Sequence, residues 1–88
     1  MVEPIEVRTA AQLGAAVRSA RLEADLSQQV LAQRAGVSRR WISELERGKA
    51  RVEWYLVLAV VQALGMTVIL TPDASPVADE LAPEDPDW

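Results

Sequence analysis

One run of polar side chains in the middle of this chain combines hydrogen-bond donors and acceptors at helical spacing. It consists of Arg39, Arg40, Ser43, Glu44 and Arg47, at positions i, i+1, i+4, i+5 and i+8. That spacing places them on one face of a helix, opposite Ile42 and Leu45. Arginine donates paired hydrogen bonds to guanine, serine is a versatile partner, and glutamate accepts from cytosine. Such a stripe fits the major groove of DNA; the alternative is a solvated helix face with Arg–Glu pairing.

The sequence around the stripe predicts two short helices that meet at a tight turn. Ser27 is a favourable N-cap before an apolar set on one helical face. This set comprises Leu31, Ala32 and Ala35. Gly36 permits the left-handed conformation that ends a helix, and Ser38 can cap the next helix only two residues later. Helices joined so closely cross at a steep angle, as in a helix-turn-helix, and this geometry favours nucleic-acid recognition over a merely solvated face.

Length and composition limit the possible classes of protein. The chain has 88 residues, enough for one domain with a small core, and half of them are apolar, which excludes disorder throughout. It contains neither Cys nor His. Thiolate and imidazole catalysis, zinc fingers and disulfides are therefore excluded, no glycine-rich phosphate loop indicates an enzyme, and no cofactor is expected. Because no charged, apolar signal segment opens the chain, we expect a cytoplasmic protein.

The net charge of −4 is unevenly distributed along the chain. Residues 34–51 hold six basic and two acidic residues, whereas residues 73–88 hold six acidic residues and no basic one. The acidity therefore belongs mainly to the C-terminal segment, and the basic block coincides with the polar stripe.

A longer helix is predicted ahead of the two short ones. Residues 1–8 form an N-terminal extension, after which Thr9 and Gln12 fit a capping box that opens a helix over about residues 10–25. Its expected buried positions are Leu13, Val17 and Ala20.

A fourth helix, over about residues 52–64, is apolar on nearly every side. Its expected core positions are Trp54, Val57, Leu58, Val61 and Leu64. The opposite side carries Leu56, Val60 and Ala63. A helix of this kind needs burial on two sides, and in so short a chain we expect the second cover from another subunit.

Residues 66–71 predict a short dimerisation strand between Gly65 and Pro72. The chain offers no second strong strand, so a partner related by a twofold axis is expected to supply one. The expected dimer contacts are Leu56, Val60, Met66, Val68, Ile69 and Leu70. The alternative is a membrane span over residues 54–70, which is barely long enough and is interrupted by Gln62 and Gly65.

The remaining residues, 72–88, are rich in proline, acidic and small residues, and this composition predicts a disordered acidic tail. The tail ends in Trp88. This residue is either inert or a docking anchor for a partner, because tryptophan is frequent in interface hot spots.

Several short motifs resemble, in order and spacing, the Cro/lambda-repressor-like (Xre) helix-turn-helix family over about residues 10–65. They are Leu26-Ser27-Gln28, Leu31-Ala32, Ala35-Gly36-Val37-Ser38, Ile42-Ser43, Leu45-Glu46 and Gly48-Lys49. The resemblance implies a mainly α, lambda-repressor-like bundle with a DNA-binding domain in residues 9–65 and a recognition helix over residues 38–47. A short C-terminal strand would then pair across a dimer.

The resemblance also implies roles for single residues. Bases would be contacted by Arg39, Arg40, Ser43 and Glu44. Phosphates would be held by Gln28 and Arg47, helped by Lys49 and by capped helix N-termini such as that at Ser38. Arg21 would pair with Glu46 inside the fold. Trp41 departs from the family, in which small residues are common at this position. It packs against a thymine methyl group or the dimer partner, or it shields the core, and we favour packing.

The succession of an Xre unit, an apolar fourth helix and a single strand resembles the HipB-type antitoxins. These are dimers that share a small intersubunit sheet, repress their own operon and bind a HipA-type serine/threonine kinase toxin. The resemblance therefore implies a homodimer, an inverted-repeat operator in double-stranded DNA and a HipA-type kinase as partners. The alternative is a stand-alone Xre-type repressor with no toxin partner.

Overall fold

A computed structural model describes residues 4–49 and 51–72, and this part of the chain contains four α-helices. They are α1 (Ala10–Glu23), α2 (Gln28–Ala35), α3 (Arg39–Glu46) and α4 (Trp54–Ala63). The mainly helical fold with a helix-turn-helix at α2 and α3 agrees with the sequence prediction. None of these helices is long and apolar enough to cross a lipid bilayer.

Helix α1 begins at the predicted capping box and ends slightly earlier than predicted. The Thr9 hydroxyl oxygen accepts from the Gln12 backbone N–H at 3.1 Å, and the Gln12 side-chain oxygen accepts from the Thr9 N–H at 3.2 Å. At the other end, Asp25 has a φ of 60°, in the left-handed region. The Leu26 N–H then donates to the Arg21 carbonyl at 3.1 Å, which turns the chain back toward α2.

The hydrophobic core lies where α2 packs against α3 and α4 and where α3 packs against α1. Its buried residues are Val17, Leu31, Ala32, Ile42, Leu45, Val57, Val60 and Val61. Burying one such Leu, Ile or Val side chain contributes about 1.5–3 kcal/mol relative to leaving it in water. Because α3 supplies Ile42 and Leu45, the core fixes the orientation of the helix that carries the polar stripe.

Helix α4 buries part of the expected core stripe, including Val57 and Val61, but not all of it. Val57, Val60 and Val61 are buried, whereas Trp54 is 56% exposed, so its prediction as a core residue was wrong. Val60 is completely buried and offers no side-chain surface to a second copy, contrary to its expected place in a dimer contact. The cause is that α4 is apolar on nearly every side, and periodicity alone cannot select the buried face of such a helix.

The residues predicted as a dimerisation strand have no regular secondary structure in one chain. The Met66 N–H donates to the Val61 carbonyl at 3.0 Å and its side chain packs on the core, but Ile69 and Leu70 are 72% and 92% exposed. A strand needs a neighbouring backbone to bond with, and the described residues provide none here. Pairing across a dimer therefore stays a prediction. The predicted acidic tail after Pro72, with Trp88, lies outside the described residues.

Candidate nucleic-acid interface

Two serine caps and one glycine define the turn between α2 and α3. The hydroxyl oxygens of Ser27 and Ser38 each accept a backbone N–H at 3.0 Å, from Val30 and Trp41 respectively. Gly36 closes α2 with a φ of 75°, a conformation that costs a glycine little. Only three residues separate the two helices, so the N-terminus of α3 is held rigidly against the end of α2.

Helix α3 is divided sharply into a buried face and a polar face. Ile42 and Leu45 are fully buried, and Trp41 is half-buried and packs against the core of its own chain. Arg39 and Arg40 are exposed on the other side, with Ser43 and Glu44 half-buried beside them. The four residues expected to contact bases thus lie on one short helix whose opposite side is anchored in the core.

The guanidinium groups of the polar face differ in how they are engaged. Arg40 Nε lies 3.5 Å from a carboxylate oxygen of Glu44, and the Arg40 side chain is 87% exposed. Arg47 Nη2 donates to the Ser43 hydroxyl at 2.8 Å. The Arg39 guanidinium group forms no hydrogen bond or ion pair with any residue that the structure describes. Arg39 is therefore the cation of this face that is most available to an external acceptor.

Behind this face, a buried ion pair ties α1 to the end of α3. Arg21 Nε and Nη2 donate to the two carboxylate oxygens of Glu46 at 2.7 and 3.0 Å, and Arg21 Nη1 donates to the Leu26 carbonyl at 2.9 Å. The hydrogen bond to Glu46 raises the pKa of Arg21 above its ordinary value, against the opposing effect of burial. The guanidinium therefore stays charged at any pH at which the protein is folded.

The residues expected to hold phosphates occupy three different environments. The Gln28 side-chain amide donates to the Glu46 carboxylate at 3.1 Å, so it belongs to the ion-pair cluster, while its backbone lies at the N-terminus of α2. The Ser38 hydroxyl oxygen caps α3 by accepting the Trp41 backbone N–H. Arg47 and Lys49 are exposed at the C-terminal end of α3. The arrangement leaves two helix N-termini and two cations for phosphate oxygens.

Gly14, for which no role was predicted from the sequence, sets the distance between α1 and α3. A Cβ atom on Gly14 would collide with the carbonyl oxygens of Leu45 and Glu46, and would lie 2.8 Å from the latter. Gly48, with a φ of 77°, makes a similar close approach to Ala11. Gly14 lies in the interior of a predicted helix, where glycine is unfavourable unless close packing requires it. This position in the sequence could have indicated the close approach of another backbone.

The charge of the interface is more positive than the sequence count suggests. Its six basic residues are all exposed: Arg34, Arg39, Arg40, Arg47, Lys49 and Arg51. Of the two acidic residues in the same segment, Glu46 has a side chain only 3% exposed and is neutralised by Arg21. Glu44 is then the one remaining carboxylate within residues 34–51, so the exposed charge of this segment is strongly positive.

Of the proposed dimer contacts, Leu56 and Met66 are half-buried, and Val68, Ile69 and Leu70 are exposed. Trp54 and Tyr55 add further exposed aromatic surface at the start of α4. Exposed apolar residues thus lie at the start of α4 and in the segment that follows it. In the sequence they come after the exposed arginines of α3.

Comparison with known proteins gives relatives in sequence and in fold. Residues 12–73 of this chain match a helix-turn-helix domain family. An uncharacterised HTH-type transcriptional regulator, y4mF, of Sinorhizobium fredii (strain NBRC 101917 / NGR234) is 45% identical over 67 residues, which cover 75% of this chain and 88% of that protein. The crystal structure of the clp gene regulator ClgR from C. glutamicum is 39% identical, covers 70% of this chain and 80% of its own, and has a TM-score of 0.62.

HipB is similar in fold at lower sequence identity. In a complex with an O2 20mer it covers 83% of this chain and 100% of its own, with 22% identity and a TM-score of 0.75. A HipA-HipB-O2-O3 complex matches with 21% identity and a TM-score of 0.72, over 80% of this chain and 97% of that one.

Proposed function

This chain belongs to the Xre-like helix-turn-helix domain family of transcriptional regulators, and we propose that it is a sequence-specific DNA-binding repressor that acts as a homodimer. The observation that carries the proposal is the construction of α3. Its N-terminus is capped by Ser38, its apolar face is locked into the core, and its exposed face presents arginines to solvent. A rigid helix with this division is suited to insertion into a major groove.

In the proposed complex, Arg39 is the first base contact because its guanidinium is already free within the described residues. Arg40 and Glu44 form an exposed pair, and such pairs contribute only about 0–1 kcal/mol. This pair can therefore open at little cost, leaving a bidentate donor for guanine and an acceptor for cytosine. Ser43, the fourth proposed base contact, accepts a hydrogen bond from Arg47 Nη2 at 2.8 Å, which holds its hydroxyl on the exposed side of α3.

Phosphate contacts would set the position of this helix along the duplex. The first backbone N–H groups of α2 and α3 have no partner within their own helix, and they carry the positive end of the helix dipole. The Gln28 backbone and the Ser38-capped end of α3 would supply these groups, while Arg47 and Lys49 supply charge. None of these contacts distinguishes one base pair from another.

As a homodimer, the protein would present two recognition helices to two half-sites. A twofold axis would place these half-sites about one helical turn apart, or about ten base pairs, so the operator should be an inverted repeat. Support for this assembly comes from the exposed apolar residues Val68, Ile69 and Leu70, which one chain leaves uncovered.

Substitutions on α3 test the proposed division between base and phosphate contacts. We expect Arg39→Ala and Arg40→Ala each to cost about 1–3 kcal/mol at one base pair, whereas Arg47→Ala should weaken binding to all sequences alike. The measurement is a fluorescence-anisotropy titration against an operator and a panel of single base-pair substitutions. Arg18→Ala, on the exposed side of α1, is the matched control and should leave binding unchanged. Equal, sequence-independent losses in Arg39→Ala, Arg40→Ala and Arg47→Ala would contradict the readout assignment.

A second function, antitoxin of a HipA-type kinase, is compatible with the first and rests on a separate observation. HipB, which this chain resembles in fold, occurs in a complex with HipA. We propose that Trp88, at the end of the acidic tail, anchors this chain to such a kinase and that the pair autoregulates its operon. Without a kinase, the protein would be a stand-alone Xre-type repressor.

Paired tryptophan substitutions test this second function. Trp88→Ala, or removal of residues 73–88, should weaken capture of a HipA-type kinase encoded beside this protein, because a buried tryptophan often dominates an interface. Trp54→Ala, which alters the exposed tryptophan of the folded domain, should leave capture intact. A truncated chain that holds the kinase as tightly as the full chain would argue against the tail as the docking element.

A further inference from the structure

We propose that the basic surface of α2, α3 and the loop after α3 is also the docking site of this chain's own acidic segment, residues 73–88, which competes there with DNA. The inference adds autoinhibition to the proposed DNA-binding function and rests on that function for one of its two tests. It is carried by charge complementarity and by the length of chain that follows the folded domain.

The exposed cations of the protein are concentrated in the segment that forms α3 and its flanks. Six of the nine basic residues lie in residues 34–51, and the structure describes all six as exposed. The other three are placed differently: Arg8 pairs with Glu6, Arg21 is buried against Glu46, and Arg18 stands singly on α1. A strongly acidic segment therefore has one concentrated set of opposite charges available in this chain.

The two acidic residues within residues 34–51 do not neutralise the six cations of that segment. Glu46 is withdrawn into the ion pair with Arg21, and Glu44 lies beside Arg40 alone. Arg39 has no acceptor among the described residues. Several guanidinium groups are therefore open to carboxylates from elsewhere, which bind arginine with the same paired geometry as phosphates do.

The acidic segment has the charge and the reach to occupy the surface. Residues 73–88 carry six carboxylate side chains and no cation. Sixteen residues span up to about 55 Å when extended, whereas the longest dimension of the structure is 44 Å, so any face lies within reach. Covalent attachment gives a tethered segment an effective concentration on the order of millimolar. The surface would therefore be partly occupied before DNA arrives.

The first test removes the negative charge and keeps the length of the chain. The variant carries D73N, D79N, E80Q, E84Q, D85N and D87N. We expect it to bind duplex DNA about tenfold more tightly than the natural chain at about 50 mM salt, with the difference vanishing near 300 mM as screening increases. Its affinity should also fall more steeply with salt, because DNA then no longer displaces a bound polyanion. Trp88→Ala keeps all six carboxylates and should bind DNA as the natural chain does.

The second test needs no DNA and distinguishes failure of this inference from failure of the proposed function. In NMR spectra at low salt, the side-chain N–H resonances of Arg39 and Arg47 should differ between the natural chain and the amide variant, whereas that of Arg18 should not. Identical Arg39 and Arg47 resonances, or equal DNA affinities of the two proteins, would overturn the inference. If neither protein binds DNA, the proposed function fails, and the NMR comparison alone decides whether the segment docks.

Discussion

At the scale of single residues, the best-defined feature of this protein is the buried cluster around Arg21. Its guanidinium bridges the Glu46 carboxylate and the Leu26 carbonyl, and Gln28 completes the cluster with a hydrogen bond to Glu46. A buried ion pair adds little net stability over an apolar substitute, but losing one partner leaves the other charge desolvated and unpaired. The cluster therefore makes the end of α3 sensitive to single substitutions.

Glu46→Ala should lower the free energy of unfolding by about 3–5 kcal/mol, since it leaves the Arg21 guanidinium and the Gln28 amide without their acceptor. Urea denaturation followed by circular dichroism measures this loss. The control is Glu44→Ala, on the same helix, which removes only an exposed pair and should cost less than about 1 kcal/mol. Similar losses in the two variants would contradict the assignment of a structural role to the cluster.

Residue-scale features were predictable where the interaction is local. Ser27, Ser38 and Thr9 cap the helices that directly follow them, so a window of four residues contains both partners. The contact of the Gln28 amide with Glu46 joins residues 18 positions apart, and no local pattern indicates it. The Arg21–Glu46 pair spans 25 positions and was accessible only through the family resemblance.

At the scale of elements, the close approach of α1 and α3 organises the domain. Gly14 lets the backbone of α1 touch the last carbonyls of α3, and Gly48 does the same for the loop after α3 against Ala11. Helix boundaries followed from caps and glycines, but the buried face of α4 did not follow from periodicity, because apolar residues surround that helix. A strand at residues 66–70 also depends on a partner backbone that no single sequence contains.

Gly14→Ala should destabilise the domain by about 2–3 kcal/mol even though alanine is the better helix former, because the new methyl group would meet backbone atoms that cannot move aside cheaply. Thermal and urea unfolding measure the effect. Ala15→Gly, at the exposed neighbouring position, should cost only about 1 kcal/mol through helix propensity. A stabilised Gly14→Ala variant would mean that α1 and α3 are farther apart than described.

At the scale of the whole molecule, exposed apolar and cationic residues are concentrated in different segments of the chain. Six of the nine cationic residues belong to α2, α3 and the following loop, while five of the eight large hydrophobic residues that are exposed in the described part of the chain lie at the start of α4 and after it. Large exposed apolar patches on small domains mark interaction sites. The proposed homodimer, formed through the apolar residues at and after α4, would leave the arginines of α3 for the proposed DNA contact.

Leu70→Lys should shift the protein from dimer to monomer and remove the dependence of its melting temperature on protein concentration. Analytical ultracentrifugation at micromolar concentration measures the shift. Leu22→Lys makes the same chemical change at a position on α1 that is 54% exposed, and it should leave the assembly unchanged. A natural chain that sediments as a monomer would refute the proposed homodimer.

The anchoring of α3 from behind has a consequence for engineering. The contacts that hold α3 are made by its ends and its buried side, through Ser38, Ile42, Leu45 and Glu46. Substitutions at positions 39, 40 and 44 should therefore have little effect on the stability of the fold. Surface substitutions away from special features usually change stability by no more than about 0.5 kcal/mol. Those three positions can therefore be randomised together in a combinatorial library, and variants retargeted to new operators can be selected without redesign of the scaffold.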